Sequence, residues 1–357
     1  MQHVVVIGSG LIGAAAAHHL ARAGARVTVI EAGTMASGAS SRSFGWINAS
    51  FYLDPAHHHL RVAGIAAHRA LSAVYGDLYH WTGCLWHESF GAEQAAFAAR
   101  LRALGYPVTD LTRADTARRI PALTDPTEAL FLPAEGAVEA DALARALLAA
   151  SGAEVWSGLP VQALATAGDR VTGVVTAAGR VAADHVVLAA GTGTPALLAP
   201  LGIALPLLPR PGALVLTRPI APILPHILCG PEGELRQRPC GRLLLPAAPA
   251  HQSDDRAVLD ELPGTLARQA LDRLRRRLPE ALGAALAVER VTLAERPVPA
   301  DGLPVLGRVL PGLTVAVMHS GVTLGPLAGQ AVADLVMDRP ISPLWSPYGP
   351  DRFQPAP

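Results

Sequence analysis

Charge is scarce in this chain. Only 16% of its 357 residues are Asp, Glu, Lys or Arg, and 29 basic groups balance 29 acidic ones, leaving a formal net charge of zero. Proteins that bind nucleic acid carry a basic excess that displaces counterions, so no nucleic-acid partner is expected. Cysteine is scarcer still. Cys84, Cys229 and Cys240 include no CxxC pair, which argues against a disulfide framework or a zinc ribbon and fits a reducing, cytoplasmic setting. Long apolar runs are also missing, although the mean hydropathy is +0.31. Residues 3–21 are uncharged but broken by Gly8, Gly10 and Gly13, and no basic residue precedes them as a signal peptide requires. Residues 185–209 carry four prolines, and residues 309–333 carry Pro311, Pro326 and four glycines. No transmembrane segment is predicted, and all three stretches read as buried α/β segments.

Hydrophobic residues make up 50% of the chain. That is ample apolar surface for a core, and the length suggests two domains or one large domain with an insertion. The opening reads as strand (3–7), helix (11–23, ending at Gly24) and strand (26–30), the start of a parallel α/β sheet. Residues 32–50 are small and polar as far as Phe44 and predict a loop with at most one helical turn. Helices are expected over 56–76, 92–104 and 140–150, and a strand over 154–159. Residues 170–176 and 180–188 read as a hairpin around residues 177–179 that leads into the buried strand 185–190. Eight prolines between 195 and 225 suit a crossing between domains. Strands of a second sheet are expected at 213–217 and 242–245. Leu266, Ala270, Leu271, Leu274 and Leu278 mark one face of a helix that Pro279 ends. A strand at 313–317 and a helix at 324–337 close the pattern.

The first chemical motif is Gly8-Ser-Gly10-Leu11-Ile12-Gly13, after a strand and at the start of a helix. Gly8 permits the tight turn, Gly10 the approach of a pyrophosphate, and Gly13 close packing of helix on strand. The helix N-terminus offers N–H groups and partial positive charge to phosphates. Glu31 ends the second strand, 18 residues past Gly13, where a carboxylate accepts from a ribose 2′-OH and would repel a 2′-phosphate. Together these predict a dinucleotide. The serine-rich run with Ser37, Ser40, Ser41 and Ser43 suits a ligand larger than NAD, or else is plain solvent loop.

Further segments add to the pattern: SGASSRSFGWIN (37–48), LPAEGAVEADAL (132–143), VVLAAGTGT (186–194), RPVPADGLPVLG (296–307) and MHSGVTLGPLAG (318–329). With GSGLIG and Glu31 they resemble, nearly end to end, the D-amino-acid-oxidase-like family of FAD-dependent amine oxidoreductases. The resemblance implies an α/β fold with a Rossmann-like, parallel-sheet FAD-binding domain and an α+β substrate domain built on a mixed sheet. Residues 1–55, 137–208 and 296–345 would form the first, and 56–136 and 209–295 the second. The expected FAD contacts are Gly8, Gly10, Leu11, Ile12, Gly13, Glu31 and Ala32 at the nucleotide end. Val161, Ala190, Gly191 and Gly193 would lie there as well. Ser40, Ser41, Arg42, Ser43, Gly45 and Trp46 would lie beside the ring, as would Gly321, Val322, Thr323 and Leu324. The N-terminus of that last helix would stabilise negative charge on the reduced ring.

Arg296 is the substrate-binding candidate, because in relatives an arginine here pairs with an amino-acid carboxylate through its two-pronged guanidinium. The alternative is a strand-end salt bridge with Glu295 or Glu289. Trp46 and Asn48, with Phe44, occupy the loop expected to face substrate; Trp46 either shapes an apolar pocket or plugs the domain interface. Some relatives place a second basic residue at the start of the final helix. This chain has His319-Ser320-Gly321-Val322-Thr323 there, so His319 substitutes in part or the substrate is neutral at that point. No cysteine in 294–307 and no histidine in 38–45 is available to tether a flavin, so FAD is expected to be non-covalent. The consecutive His57, His58 and His59 read as a helix-surface run without metal, and Arg273 and Arg275 to Arg277 as a solvated face. The expected activity is oxidation of an amino acid at its C–N bond, with O2 or another electron acceptor. A flavin-binding subunit without its own catalysis and an NAD-dependent dehydrogenase are the alternatives.

Overall fold

The computed structural model describes residues 1–249, 257–259 and 261–354. A six-stranded sheet runs in the order Val305–Leu310, Leu313–Val317, His185–Leu188, His3–Ile7, Arg26–Ile30, Glu154–Trp156. Its five inner-to-edge strands from Leu313–Val317 to Glu154–Trp156 are parallel, and Val305–Leu310 joins antiparallel at one edge. The apolar runs noted above follow from this topology, because both faces of the sheet are covered. Val4 and Val6 pack under the helices on one face, while Val5 and Ile7 pack under the antiparallel meander Val161–Ala167, Arg170–Thr176, Gly179–Ala182 on the other. The helix face holds Leu11–Arg22 between Ala140–Ser151 and Gly321–Val336. Short side chains let these helices approach: Ala14 to Ala17 are wholly buried.

The second large sheet has eight strands, in the order Val288–Glu295, Pro211–Thr217, Leu243–Pro246, Gly233–Gln237, Ile227–Gly230, Cys84–Trp86, Ala129–Leu132, Thr109–Leu111. It is mixed: Ile227–Gly230 and Cys84–Trp86 pair in parallel, and the other neighbours are antiparallel. Helix Pro263–Arg275 lays Leu266, Ala270, Leu271 and Leu274 on its core. A small sheet of Trp46–Ile47, Gly136–Val138 and Tyr79–His80, together with helix Pro55–Ser72, lies between the two layers of structure. Among the described residues no helix is long and apolar enough to cross a membrane. All three cysteines are free, Cys84 and Cys229 buried and Cys240 exposed.

The structure departs from the sequence reading in several places. The histidine run is not a surface feature: His57 and His58 are buried, and only His59 faces out. Nor are the arginines of 273–277 merely solvated. Arg273 donates to Ala247 O, Arg275 Nη2 to Leu286 O at 3.0 Å, and Arg277 pairs with Glu232 at 2.8 Å. The 177–179 hairpin returns only through Gly179–Ala182, and His185–Leu188 belongs to the other sheet. Strand Val161–Ala167, helix Arg113–Arg119 and most strands of the second sheet carry too few residues, or too little alternation, to be legible alone.

Candidate active site

A cavity of about 590 Å³ opens at the carboxyl ends of the parallel strands, where Ile7, Ile30, Ala189 and Val317 line it. Ligands of open α/β sheets bind at such an edge. Gly8 has φ +99°, and a Cβ there would stand 2.5 Å from the Ala189 carbonyl oxygen; a Cβ on Gly13 would stand 2.0 Å from the Gly8 oxygen. Only glycine closes this turn against both its neighbours. The helix that follows has no side-chain cap at Gly10, and Gly10, Leu11 and Ile12 line the cavity. Leu11 N donates to Ser40 Oγ at 2.9 Å, so the serine loop sits over the helix end. Glu31 is fixed at the cavity edge: Oε2 accepts from Ser9 N (2.9 Å) and Ser9 Oγ (2.8 Å), and Oε1 from Gly33 N (2.8 Å). Ala32, Val161, Ala190, Gly191 and Gly193 line the same end. These residues suit a dinucleotide: an uncapped glycine at the helix start would face phosphate, and the fixed Glu31 carboxylate would face a ribose.

At the other end the walls are Ser40, Arg42, Ser43, Gly45, Trp46 and Asn48. The start of the closing helix, with Gly321, Val322 and Thr323, faces them. Its N-cap Ser320 gives no side-chain cap, so the first N–H groups have no intrahelical partner and stand at the cavity wall. Arg296 and His319 line this end too. The Arg296 guanidinium rests on backbone carbonyls, Nε donating to Arg210 O at 3.1 Å. Three expected contacts lie elsewhere. Gly13 packs beneath the turn, Leu324 is buried with its N–H already given to Ser320 O at 2.9 Å, and Ser41 turns its hydroxyl to Gly38 O at 3.2 Å.

Sequence reasoning missed one element of the site. Helix Pro55–Ser72 starts at Asp54, whose side chain accepts from His57 N at 2.7 Å. From there His57, Arg61, Gly64 and His68 recur at helical spacing on a single stripe, and that stripe meets the first turn of the closing helix. Arg61, 5% exposed, donates from Nη1 to Ser320 Oγ (2.6 Å), from Nε to Asn48 O (3.1 Å) and from Nη2 to Asn48 Oδ1 (2.5 Å). A Cβ on Gly64 would stand 2.5 Å from Thr323 O, so glycine sets the helix spacing. His68 Nε2 donates to Val322 O at 2.7 Å, and its Nδ1 accepts from Tyr79 OH at 3.0 Å. That first bond has a cause. Pro326 lies inside the closing helix and has no N–H for the carbonyl four residues earlier, which is Val322. His68 supplies the missing donor. The readable signal was polar residues at 57, 61 and 68 on the face that an amphipathic helix buries.

Burial keeps these histidines neutral, pulling His57 down to about 3 and His68 to about 4. It draws the Arg61 guanidinium only to about 10, opposed by the nearby Glu135 and Tyr106, so Arg61 stays charged. Glu135 is itself wholly buried beneath the loop. Its oxygens accept from Trp46 Nε1 (2.9 Å), Ser50 N (3.2 Å) and Tyr106 OH (3.1 Å). Trp46 is therefore a buried plug with its indole N–H committed to Glu135, and one edge of it reaches the cavity.

Two outcomes follow. Desolvation pushes Glu135 up to about 7 from an ordinary 4.5. Its stabilising contribution is full below pH 4.5 and is lost as pH rises through 7, because over that interval the unfolded chain releases a proton that the folded chain keeps. Urea unfolding of Glu135→Gln across that range should show a flattened slope and an overall loss of about 1–3 kcal/mol, since an amide NH2 cannot accept from Trp46; an unchanged slope contradicts the assignment. Likewise His68→Ala should cost about 1–3 kcal/mol in the native chain and clearly less in a Pro326→Ala background, where residue 326 regains an N–H for Val322. Additive losses in that double-mutant cycle would show that His68 does not replace the missing donor.

Comparison with known proteins agrees with this geometry. The family model described as DAO, FAD dependent oxidoreductase, matches residues 3–335. Glycine oxidase of Pseudomonas aeruginosa is 29% identical, with 98% of each chain covered, and that of Geobacillus kaustophilus is 30% identical over 93% of this chain and 92% of its own. The crystal structure of the Geobacillus enzyme superposes with a TM-score of 0.85 at 27% identity, covering 99% of this chain and 100% of that one. Iminodiacetate oxidase from Chelativorans sp. BNC1 superposes at 0.81 with 25% identity, covering 97% and 99%. A family pattern spanning nearly the whole chain, a cleft at the strand ends lined by the glycine turn and Glu31, and the shared α/β architecture lead to one conclusion: this chain belongs to the DAO family of FAD-dependent oxidoreductases.

Proposed function

We propose that the protein oxidises the carbon–nitrogen bond of an amino acid, whether primary, N-substituted or cyclic, with the substrate carboxylate held by Arg296. The reading is carried by one observation. A charged guanidinium braced on the carbonyls of Arg210 and Pro211 lines the same cavity wall system as the open first turn of the closing helix. The glycine-oxidase relatives support the substrate class, being named for an amino acid.

FAD, when bound, supplies the acceptor for the hydride that leaves the carbon beside nitrogen. The chain's own residues position and shield. Gly10 and Ile12 would take the pyrophosphate beside the Ser40 hydroxyl that the Leu11 N–H holds, Glu31 a ribose, and the N–H groups of Gly321, Val322 and Thr323 the ring edge on which negative charge collects. Arg296 would orient the substrate by two parallel charge-assisted bonds. Loss of hydride from carbon and a proton from nitrogen leaves an imine, which water converts to a carbonyl product and an amine. Residues 1–55, 137–208 and 296–345 would hold FAD, and 56–136 and 209–295 would cover it. We further infer that FAD is held without a covalent bond, since residues 294–307 hold no cysteine and residues 38–45 no histidine. O2 or another acceptor would take the electrons onward.

Acid precipitation should release all the yellow colour into the supernatant; colour left on the pellet overturns non-covalent binding. Arg296→Ala should lower kcat/KM by about 100-fold or more for amino acids and by less than threefold for the matching amines without a carboxylate, in anaerobic flavin-reduction assays. Equal losses for both would remove Arg296 from carboxylate binding.

A further inference from the structure

Arg61 is a cation taken out of water without a formal counter-ion. Its side chain is 5% exposed and lines the cavity. Among the described residues no carboxylate stands within ion-pair distance of it, and its three hydrogen bonds go to neutral oxygens: the Asn48 carbonyl, the Asn48 amide oxygen and the Ser320 hydroxyl. A guanidinium has five N–H groups, so two remain for a ligand. Burying a charge on such terms is costly unless an anion arrives to pair with it. The nearest acid, Glu135, already accepts from Trp46, Ser50 and Tyr106.

The surroundings narrow the kind of anion. Arg61 bonds Ser320 and so stands at the first turn of the closing helix, and Arg296 lines the same cavity from the 210–211 backbone. Glu31, the acid that holds the nucleotide end, lies at the strand edge among Ser9 and Gly33. The chain contains no lysine, so each of these cations is a planar fork that matches a carboxylate in two bonds. The basic residue that the sequence lacks beside the closing helix is thus delivered from a different helix.

We propose that Arg61 binds a second acidic group of the substrate, so that the site takes an amino acid bearing two carboxylates, one on Arg296 and the other on Arg61. The assignment rests on the reading of the cavity as an amino-acid site. Arg61 then determines specificity, selecting a dianion over a monoanion, and also holds Asn48 and Ser320 in place for it.

Two thioethers test this: thiodiacetate and (methylthio)acetate differ by one carboxylate, and neither has a C–N bond to oxidise. Titrated into the holoenzyme and followed by flavin absorbance and by calorimetry, the dianion should bind at least tenfold more tightly to the wild-type protein. Arg61→Met should bring the two Kd values within about twofold of each other, and Arg61→Lys should keep a reduced preference. Equal Kd values in the wild-type protein overturn the proposal whether or not either variant folds, as does an Arg61→Met protein that keeps the tenfold ratio. The wider reading fails separately. If neither iminodiacetate nor N-methylglycine reduces the flavin anaerobically while the dianion preference stands, amine oxidation is wrong and the dianion site is right.

Discussion

A proline within the closing helix leaves the Val322 carbonyl without its helical donor, and the histidine that satisfies it fixes the cavity wall at that helix's first turn. A buried, unbonded carbonyl costs on the order of 1–3 kcal/mol, so the chain is bound to provide a donor from elsewhere. His68 does so at 2.7 Å. That bond and the Gly64–Thr323 approach set how helix Pro55–Ser72 lies on helix Gly321–Val336. Once the first contact is set, the helical repeat brings Arg61 and His57 to Ser320. The first turn that faces the cavity is therefore held by side chains from outside the helix, and its own N–H groups stay open to a ligand.

The electrostatics follow the same division. At the glycine-turn end a carboxylate, Glu31, is pinned by backbone and hydroxyl donors, next to a helix terminus whose partial positive charge suits an anion. The opposite end collects Arg61, Arg296 and a second helix N-terminus. Positive potential there would favour an anionic ligand and would stabilise negative charge developing beside the open helix turn. Glu135 lies below this end, where burial holds its proton to about pH 7, so it adds little opposing charge at the site in mildly acid solution.

The nucleotide half was legible because each of its requirements leaves a local mark. Gly8 and Gly13 are dictated by backbone atoms 2.5 Å and 2.0 Å from where a Cβ would be, and Glu31 by its place at a strand end. The buried strands of the parallel sheet read as short runs rich in valine for the same local reason. The half built on the eight-stranded sheet was less legible. Its strands are short, and they pair across long separations, as when Ile227–Gly230 joins Cys84–Trp86. Arg61 escaped notice because its importance comes from residues 48 and 320, which nothing near position 61 announces. The histidines at 57 and 58 were misread as surface because a run of three looks polar on average, whereas burial is decided by which helix face each one occupies. Leu324 and Ser41 show why a motif's neighbours need separate reading: the Leu324 N–H closes onto Ser320 O within the helix, and the Ser41 hydroxyl turns back onto its own loop at Gly38 O.

The most direct test is a crystal structure of the yellow holoenzyme. The expected result is FAD stretched from the first turn at Gly10 and Ile12 to the N–H groups of Gly321, Val322 and Thr323. The His68–Val322 bond should be intact, and Arg61 and Arg296 should both reach the space above the ring. A ring seated away from that turn, or a closing helix whose first turn has left His68, would contradict the account.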